Sequence, residues 1–404
     1  MPCLKLSQCL SAMIAGALIV ALCAPAQAAA QACYSTIDAR EEPAAEPGSG
    51  QSLEVFSPYA SRLTRRVDYS DLGFILKSIV IEFGRSSRVS YQGIADTGSH
   101  IKVGHSGAAA MEGNRVFFSR ITPKIIKILS RYRRDLEALG TSLDFSDLTR
   151  DQQLAYWYNL HNVTVIEQIA LHYPVKFPEK LHPEATDAGL SDAKILKVKD
   201  IPLSLRDIRS KIVYAHWQDD PLVLYGFFHG WVGGPSVLPE AFTGENVHDL
   251  LAQNATEFIN SLRGARKYGS KIHVSEIYCE GRSLFPHWQS DLRAHLLIYA
   301  DALGRKQIAN DLPLVIRERY RKVADLYGGV LATPSRAVIS YKNGSAIDGA
   351  RFPPYVQRML QGLYRKKRRL ARRNRNMQKN RVVIVGEDQD ANVQERSEAE
   401  KPEP

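Results

Sequence analysis

The chain has little cysteine and none of the short motifs that announce a cofactor. Its five cysteines fall at Cys3, Cys9, Cys23, Cys33 and Cys279. No CxxC pair exists, which excludes a structural zinc site of the finger or ribbon type. No HExxH, P-loop, GxGxxG or EF-hand loop is present, so the usual sequence marks of a zincin, a nucleotide-phosphate cradle or a calcium loop are missing. His100, His105, His161, His172 and His229 carry no metal-ligand spacing. No metal and no cofactor are therefore expected. There is also no internal repeat, and no Gly/Ser or Pro linker divides the body.

Acid is absent from one stretch, and this localises the charge. Of 53 basic residues, ten lie between Arg365 and Arg381 with no acid among them, which leaves 43 basic against 43 acidic elsewhere. The net charge of +10 belongs to that segment, and the remainder is electrically balanced. Val356, Met359, Leu360, Leu363, Tyr364 and Leu370 recur at helical spacing after Pro353-Pro354, which predicts a basic amphipathic helix over 354–381. Arg365, Lys366, Lys367, Arg368 and Arg369 are its candidate contacts for an anionic membrane surface or an acidic envelope polymer. No specific nucleic-acid partner is expected. A helix end docked on the domain with a solvated charged tail is the competing expectation. Residues 382–404 are acidic and polar and read as a disordered tail.

The other end reads as an export signal. Lys5 precedes an almost unbroken apolar run from Cys9 to Leu22, and Ala26-Gln27-Ala28 offers small residues for cleavage after residue 28. The run falls short of the roughly 20 apolar residues of a finished membrane span, although a retained anchor stays open. Export makes a Cys33–Cys279 disulfide feasible; a Cys33 on a mobile leader that never meets Cys279 is the alternative. Residues 29–51 are rich in Ala, Glu, Pro and Gly and read as a flexible leader.

Composition is globular between these ends, at 44% hydrophobic and 24% charged, and residues 52–353 suffice for one large domain. Leu72, Ile75, Leu76, Ile79, Val80 and Phe83 form one helical face. Thr122-Pro123 opens a second helix, which Gly140 is expected to end. Thr149 and Gln152 form a capping box for a third, over Arg150 to His172, apolar nearly all round and therefore central. Further helices are expected around Val247 to Leu262, from Trp288 to Leu303 and from Pro313 to Leu326. Strands are expected at Leu222–Phe228, at Lys271–Ile277, around Asn114–Phe118 and at Val338–Tyr341, the last followed by a hairpin turn at Asn343-Gly344. The sum is an α+β fold, a helix-rich single domain around a small β-sheet.

The candidate chemistry lies on two segments. His229 follows the apolar run and precedes Gly230, Gly233 and Gly234, so it is either a base beside a ligand-binding glycine loop or a histidine capping a core segment. Asn159 and Asn162 share a face of the third helix, where they either hold a substrate or pin the His229 loop. Gly104-His105-Ser106-Gly107-Ala108 nearly matches a serine nucleophile elbow, but Met111-Glu112-Gly113-Asn114 would break the helix that must follow it.

Five stretches then carry a resemblance by their order: Ala155-Tyr156-Trp157-Tyr158-Asn159-Leu160-His161-Asn162, His172-Tyr173-Pro174-Val175, Ser204-Leu205-Arg206-Asp207-Ile208, Phe228-His229-Gly230, and Ser275-Glu276-Ile277-Tyr278 with Trp288 and Asp291. The chain resembles the domain of unknown function 547 family over roughly residues 67 to 292, whose members show AFWxNxYNA, HYPV, SLxxIE and CGAxxCP patterns. The resemblance implies that His229 and Gly234 stand where members carry cysteine, Leu224 where they carry histidine, and Arg209 where they carry an acid. A thiolate nucleophile is thereby lost at these positions. The expectation is a non-catalytic binding or structural domain; the alternative is a hydrolase or transferase with His229 as general base.

Overall fold

The computed structural model describes residues 53–58, 65–86, 88, 109, 112–183, 186–309 and 311–329, with strand segments at 341–342, 345–346 and 383–386. The expected signal at 1–28, the leader at 29–51, the elbow around Ser106 and the basic helix at 354–381 lie outside the described residues.

The fold is α+β and is organised around one helix. Helix α3 (Arg150–Leu171) begins with the reciprocal capping box: Gln152 N–H donates to Thr149 Oγ1 and Thr149 N–H to Gln152 Oε1, each at 3.2 Å. It is buried on every side. Trp157, Leu160 and Ile166 are fully inaccessible, and each such side chain contributes about 1.5–3 kcal/mol by leaving water. Helix α1 (Ser70–Ile79), helix α2 (Pro123–Ser142) and helix α4 (Val247–Ile259) turn apolar faces into the same core. Helices α5 (Trp288–Tyr299) and α6 (Ala302–Ile308) replace the single helix expected from Trp288 to Leu303. The break falls where Asp301 caps α6 by accepting from Gly304 N–H at 2.7 Å.

The strands are short. β1 (Arg65–Asp68) pairs antiparallel with Val383–Gly386, the part of residues 382–404 that is described. β2 (Val80–Ile81) pairs with β3 (Arg115–Val116), and β4 (Leu196–Val198) with β5 (Ile201–Leu203). The largest sheet among the described residues has order β6 (Ala265–Tyr268), β7 (Lys271–Ser275), β8 (Leu314–Glu318), antiparallel then parallel. Tyr341–Lys342 pairs antiparallel with Ser345–Ala346; Asn343-Gly344 and residues 338–340 of the expected strand lie outside the described residues.

Three local expectations are corrected. The run Leu222–Phe228 is no strand; Pro221–Gly226 is a 3₁₀ helix capped by Asp220, which accepts from Leu222 N–H. The run is buried against α3 and α4, and side chains of those helices satisfy its carbonyls. Tyr158 donates to Val223 O at 3.0 Å and Asn254 to Tyr225 O at 2.7 Å. The expected helix Pro313–Leu326 is β8 followed by an extended strap, because Leu314, Val315 and Ile316 find a parallel partner in β7. Finally, Gly140 does not end α2, which continues to Ser142 with Leu143 as its C-cap. Gly140 instead makes room for Tyr156: a Cβ there would lie 2.0 Å from the Tyr156 hydroxyl, which donates to Leu136 O.

This geometry reverses a propensity rule. Glycine to alanine inside a helix ordinarily gains about 1 kcal/mol, whereas Gly140→Ala should lose roughly 2 kcal/mol through overpacking. Urea denaturation checks this, and Tyr156→Phe in the Gly140→Ala background should recover part of the loss.

Candidate functional site

His229 sits where the 3₁₀ segment gives way to the glycine loop, and its surroundings are closed. The imidazole is 4% exposed. Neither ring nitrogen has a hydrogen-bond partner among the described residues. The Trp231 ring lies against it at 5.1 Å between centroids. The backbone of Gly234 closes in from the other direction, where a Cβ would stand 3.1 Å from His229 Cδ2. Burial pushes the imidazole pKa well down, and the nearby charges of Arg209 and Arg206 push it further. His229 is therefore neutral at physiological pH.

The three glycines serve packing between chain segments. Gly230 adopts φ 85°, and a Cβ there would meet Ile169 Cδ1 at 2.7 Å on α3. Gly233 lets two backbones touch: its N–H donates to Tyr320 O at 2.8 Å, and a Cβ would lie 2.8 Å from Tyr320 N. The strap that follows β8 runs across the loop in the same way. Val232 N–H donates to Lys322 O at 2.9 Å, and Ala324 N–H to Gly230 O at 2.8 Å. The strap is also bound to its other neighbours, with Val116 N–H donating to Ala324 O and Val323 N–H to Lys176 O. Ser275 and Arg263 donate to two further loop carbonyls, Gly233 O and Gly234 O.

Asn159 and Asn162 face backbone. Asn159 brackets Phe242, donating to its carbonyl at 2.7 Å and accepting from its N–H at 3.0 Å. Asn162 donates to Gly226 O at 2.8 Å and accepts from Phe228 N–H at 2.9 Å. The crevice that both amides line, with Leu72, Val237 and Phe242, has a volume of about 10 Å³, room for one water. His229 does not line it.

Sequence reasoning missed the charged group behind this clamp. Arg209 is 3% exposed. Its Nε donates to Glu280 at 2.6 Å, its Nη2 to Ser191 Oγ at 2.7 Å and its Nη1 to His161 Nε2 at 2.9 Å. A guanidinium only donates, so His161 Nε2 accepts. Its Nδ1 then carries the hydrogen given to Asn162 Oδ1 at 3.0 Å. Burial and Arg209 together hold His161 well below the ordinary imidazole pKa. Burial raises the Glu280 carboxyl pKa, but Arg209 and Arg206 more than offset this and leave it lowered. The signal in the sequence was only that Arg209 stood in the place of an acid; its partner lies 71 residues away. Cys279 is buried, and Cys33 lies outside the described residues.

The site thus consists of a neutral imidazole, two amides committed to backbone and a guanidinium committed to a carboxylate, on a helix-rich α+β scaffold. Residues 145–259, which contain α3, the Arg209 segment, the His229 loop and α4, match the family model described as Protein of unknown function, DUF547. The resemblance expected from the motifs is therefore shown over that stretch. No curated protein and no solved structure matches the chain.

Three outcomes follow. An imidazole buried without a bond costs stability, so His229→Leu should raise it by about 1–2 kcal/mol at pH 7. His161 and His229 titrate lower in the fold than in the unfolded chain. Their penalty is absent above about pH 6.5 and grows as pH falls, by up to 1.4 kcal/mol per pH unit for each group. Urea midpoints between pH 8 and pH 5 should show that loss, with a shallower slope in His229→Leu. Arg209→Met, which strands Glu280 and His161, should lose about 3–5 kcal/mol, and Glu280→Gln in that background should recover part of it.

Proposed function

We propose that this is an exported protein whose domain binds rather than catalyses, held near an anionic envelope surface by its basic C-terminal segment. The observation that carries the non-catalytic half is the closure around His229. A general base must come within hydrogen-bond reach of a substrate proton, and this imidazole is buried and packed against the Trp231 ring. The competing reading is a hydrolase or transferase with His229 as base and the amides as oxyanion donors. It requires Asn159 and Asn162 as donors to a substrate, and each already gives one carboxamide hydrogen to a backbone carbonyl, with its oxygen accepting from backbone N–H.

The apolar run from Cys9 to Leu22 followed by Ala26-Gln27-Ala28 supports the export half, and the acid-free run from Arg365 to Arg381 supports the surface half. Each cation near an anionic lipid surface contributes about 1 kcal/mol, an attraction that salt screens. Co-sedimentation with anionic vesicles should therefore show binding that weakens as salt rises. Removing everything after Tyr364 should abolish it. A second variant, with Arg365, Lys366, Lys367, Arg368 and Arg369 changed to Gln, keeps the strand Val383–Gly386 and should also lose most of the binding. Unchanged binding in both variants would overturn the surface role.

A further inference from the structure

A second cavity lies at the C-terminal end of α3, beside the strap that crosses the His229 loop. It is a groove of about 640 Å³, within the size range of small-molecule sites. Val175 and Phe177 form part of its wall, and Phe177 is 43% exposed. Lys176, Lys180, His172 and His182 bring four nitrogenous side chains to the same groove.

Lysine ammonium groups border the groove. Neither Lys176 nor Lys180 makes an ion pair among the described residues. The Lys180 ammonium instead rests 5.6 Å from the centre of the Phe177 ring. The strap brings a third lysine alongside, because Val323 N–H donates to Lys176 O and Lys322 is its neighbour. Burial and the charge of Lys176 both lower the Lys322 pKa, so the cations here repel one another. The acid nearest in sequence, Glu179, is partly buried; burial raises its carboxyl pKa while Arg321 and Lys180 act to lower it, so Glu179 feels the Lys180 charge without forming an ion pair with it.

The two histidines are held in a defined tautomer. His172 Nδ1 donates to Gln168 O at 2.8 Å, and His182 Nδ1 to Asp187 O at 3.0 Å. A carbonyl only accepts, so each Nδ1 carries its hydrogen and each Nε2 is left for a ligand. The carbonyl of Gln168, in the last turn of α3, is taken twice, by the ring and by the backbone N–H of His172. This blunts the negative end of the helix where it faces the groove.

An apolar wall with unpaired ammonium groups at its edge is complementary to a molecule with an apolar body and one anionic head. We propose that the groove binds a small anionic amphiphile, its body against Val175 and Phe177 and its phosphate or carboxylate between Lys176 and Lys180. This goes beyond the envelope role argued above and does not depend on it, because the groove and the basic segment are separate parts of the chain.

Isothermal titration of the full chain with octyl phosphate, octanoate and octanol, each below its micellar concentration, tests the proposal. Saturable one-to-one binding of octyl phosphate or octanoate is expected, and the stronger of the two identifies the head group. Octanol should bind at least tenfold more weakly. Lys176→Ala and Lys180→Ala should each weaken binding of the anion about tenfold, as loss of a charge-assisted contact does, and Phe177→Ser should weaken all three probes together. These residues are exposed, so the variants should keep the wild-type unfolding midpoint. Equal binding of octanol, no saturable binding, or binding that survives both lysine substitutions would overturn the proposal. In the last case the probe sits on the basic segment 365–381, and the vesicle experiment is unaffected.

Discussion

The structure depends on one requirement: the segment from Pro221 to Gly234 is buried, yet it belongs to no sheet. A buried backbone outside regular structure must find partners for its N–H and C=O groups. Here α3 supplies many of them. The Asn162 carboxamide meets Gly226 O and Phe228 N–H, the Tyr158 hydroxyl meets Val223 O, and Asn159 does the same for Phe242 further on. This explains why a helix with no exposed face keeps polar residues at these positions. It also explains the chain of donors behind Asn162. His161 must present Nδ1–H to a carboxamide oxygen that is already shared, and Arg209, anchored on Glu280, fixes the tautomer that does so.

Closure of the His229 loop follows from the same logic applied on its other side. The strap after β8 contributes carbonyls to Val232 and Gly233 and takes the Gly230 carbonyl in return. Side chains at 230 and 233 would prevent this approach, by meeting Ile169 on one side and the Tyr320 backbone on the other. The glycines that suggest a ligand loop in the sequence thus mark places where protein backbone comes close. With the loop packed against its own chain, His229 is buried and neutral, whereas His172, Lys176, Lys180 and His182 line the groove at the end of α3.

Much of this was legible in the residues. The capping box at Thr149, the burial of α3 and the opening of α2 at Thr122 all follow from local patterns that no distant contact had to complete. The misread segments are those whose conformation is decided far along the chain. The run Leu222–Phe228 has the composition of a buried strand, and only Tyr158, Asn162 and Asn254 make a 3₁₀ helix tenable there. Leu314–Glu318 mixes charge and apolar residues at a spacing that fits a helix, and its parallel partner β7 overrides that period. Gly140 looked like a terminator because nothing local reveals the Tyr156 hydroxyl beside it. At the site, His229, Asn159 and Asn162 were found by residue type and helical spacing. The Arg209–Glu280 pair was not, since its members lie 71 residues apart. The Lys and His residues between His172 and His182 were visible in the sequence, but only the His172-Tyr173-Pro174-Val175 stretch was read there, as part of the resemblance.

The central claim is that the His229 loop is closed by its own chain. Carbethoxylation of histidines on the folded protein, read residue by residue by mass spectrometry, tests it most directly. The exposed imidazoles of His182 and His287 provide the reference rate within the same molecule. Closure predicts that His229 and His161 stay unmodified while His182 and His287 react, and that they become reactive only in denaturant. Modification of His229 at the rate of the exposed histidines would contradict the account and return the imidazole to the list of groups a substrate can reach.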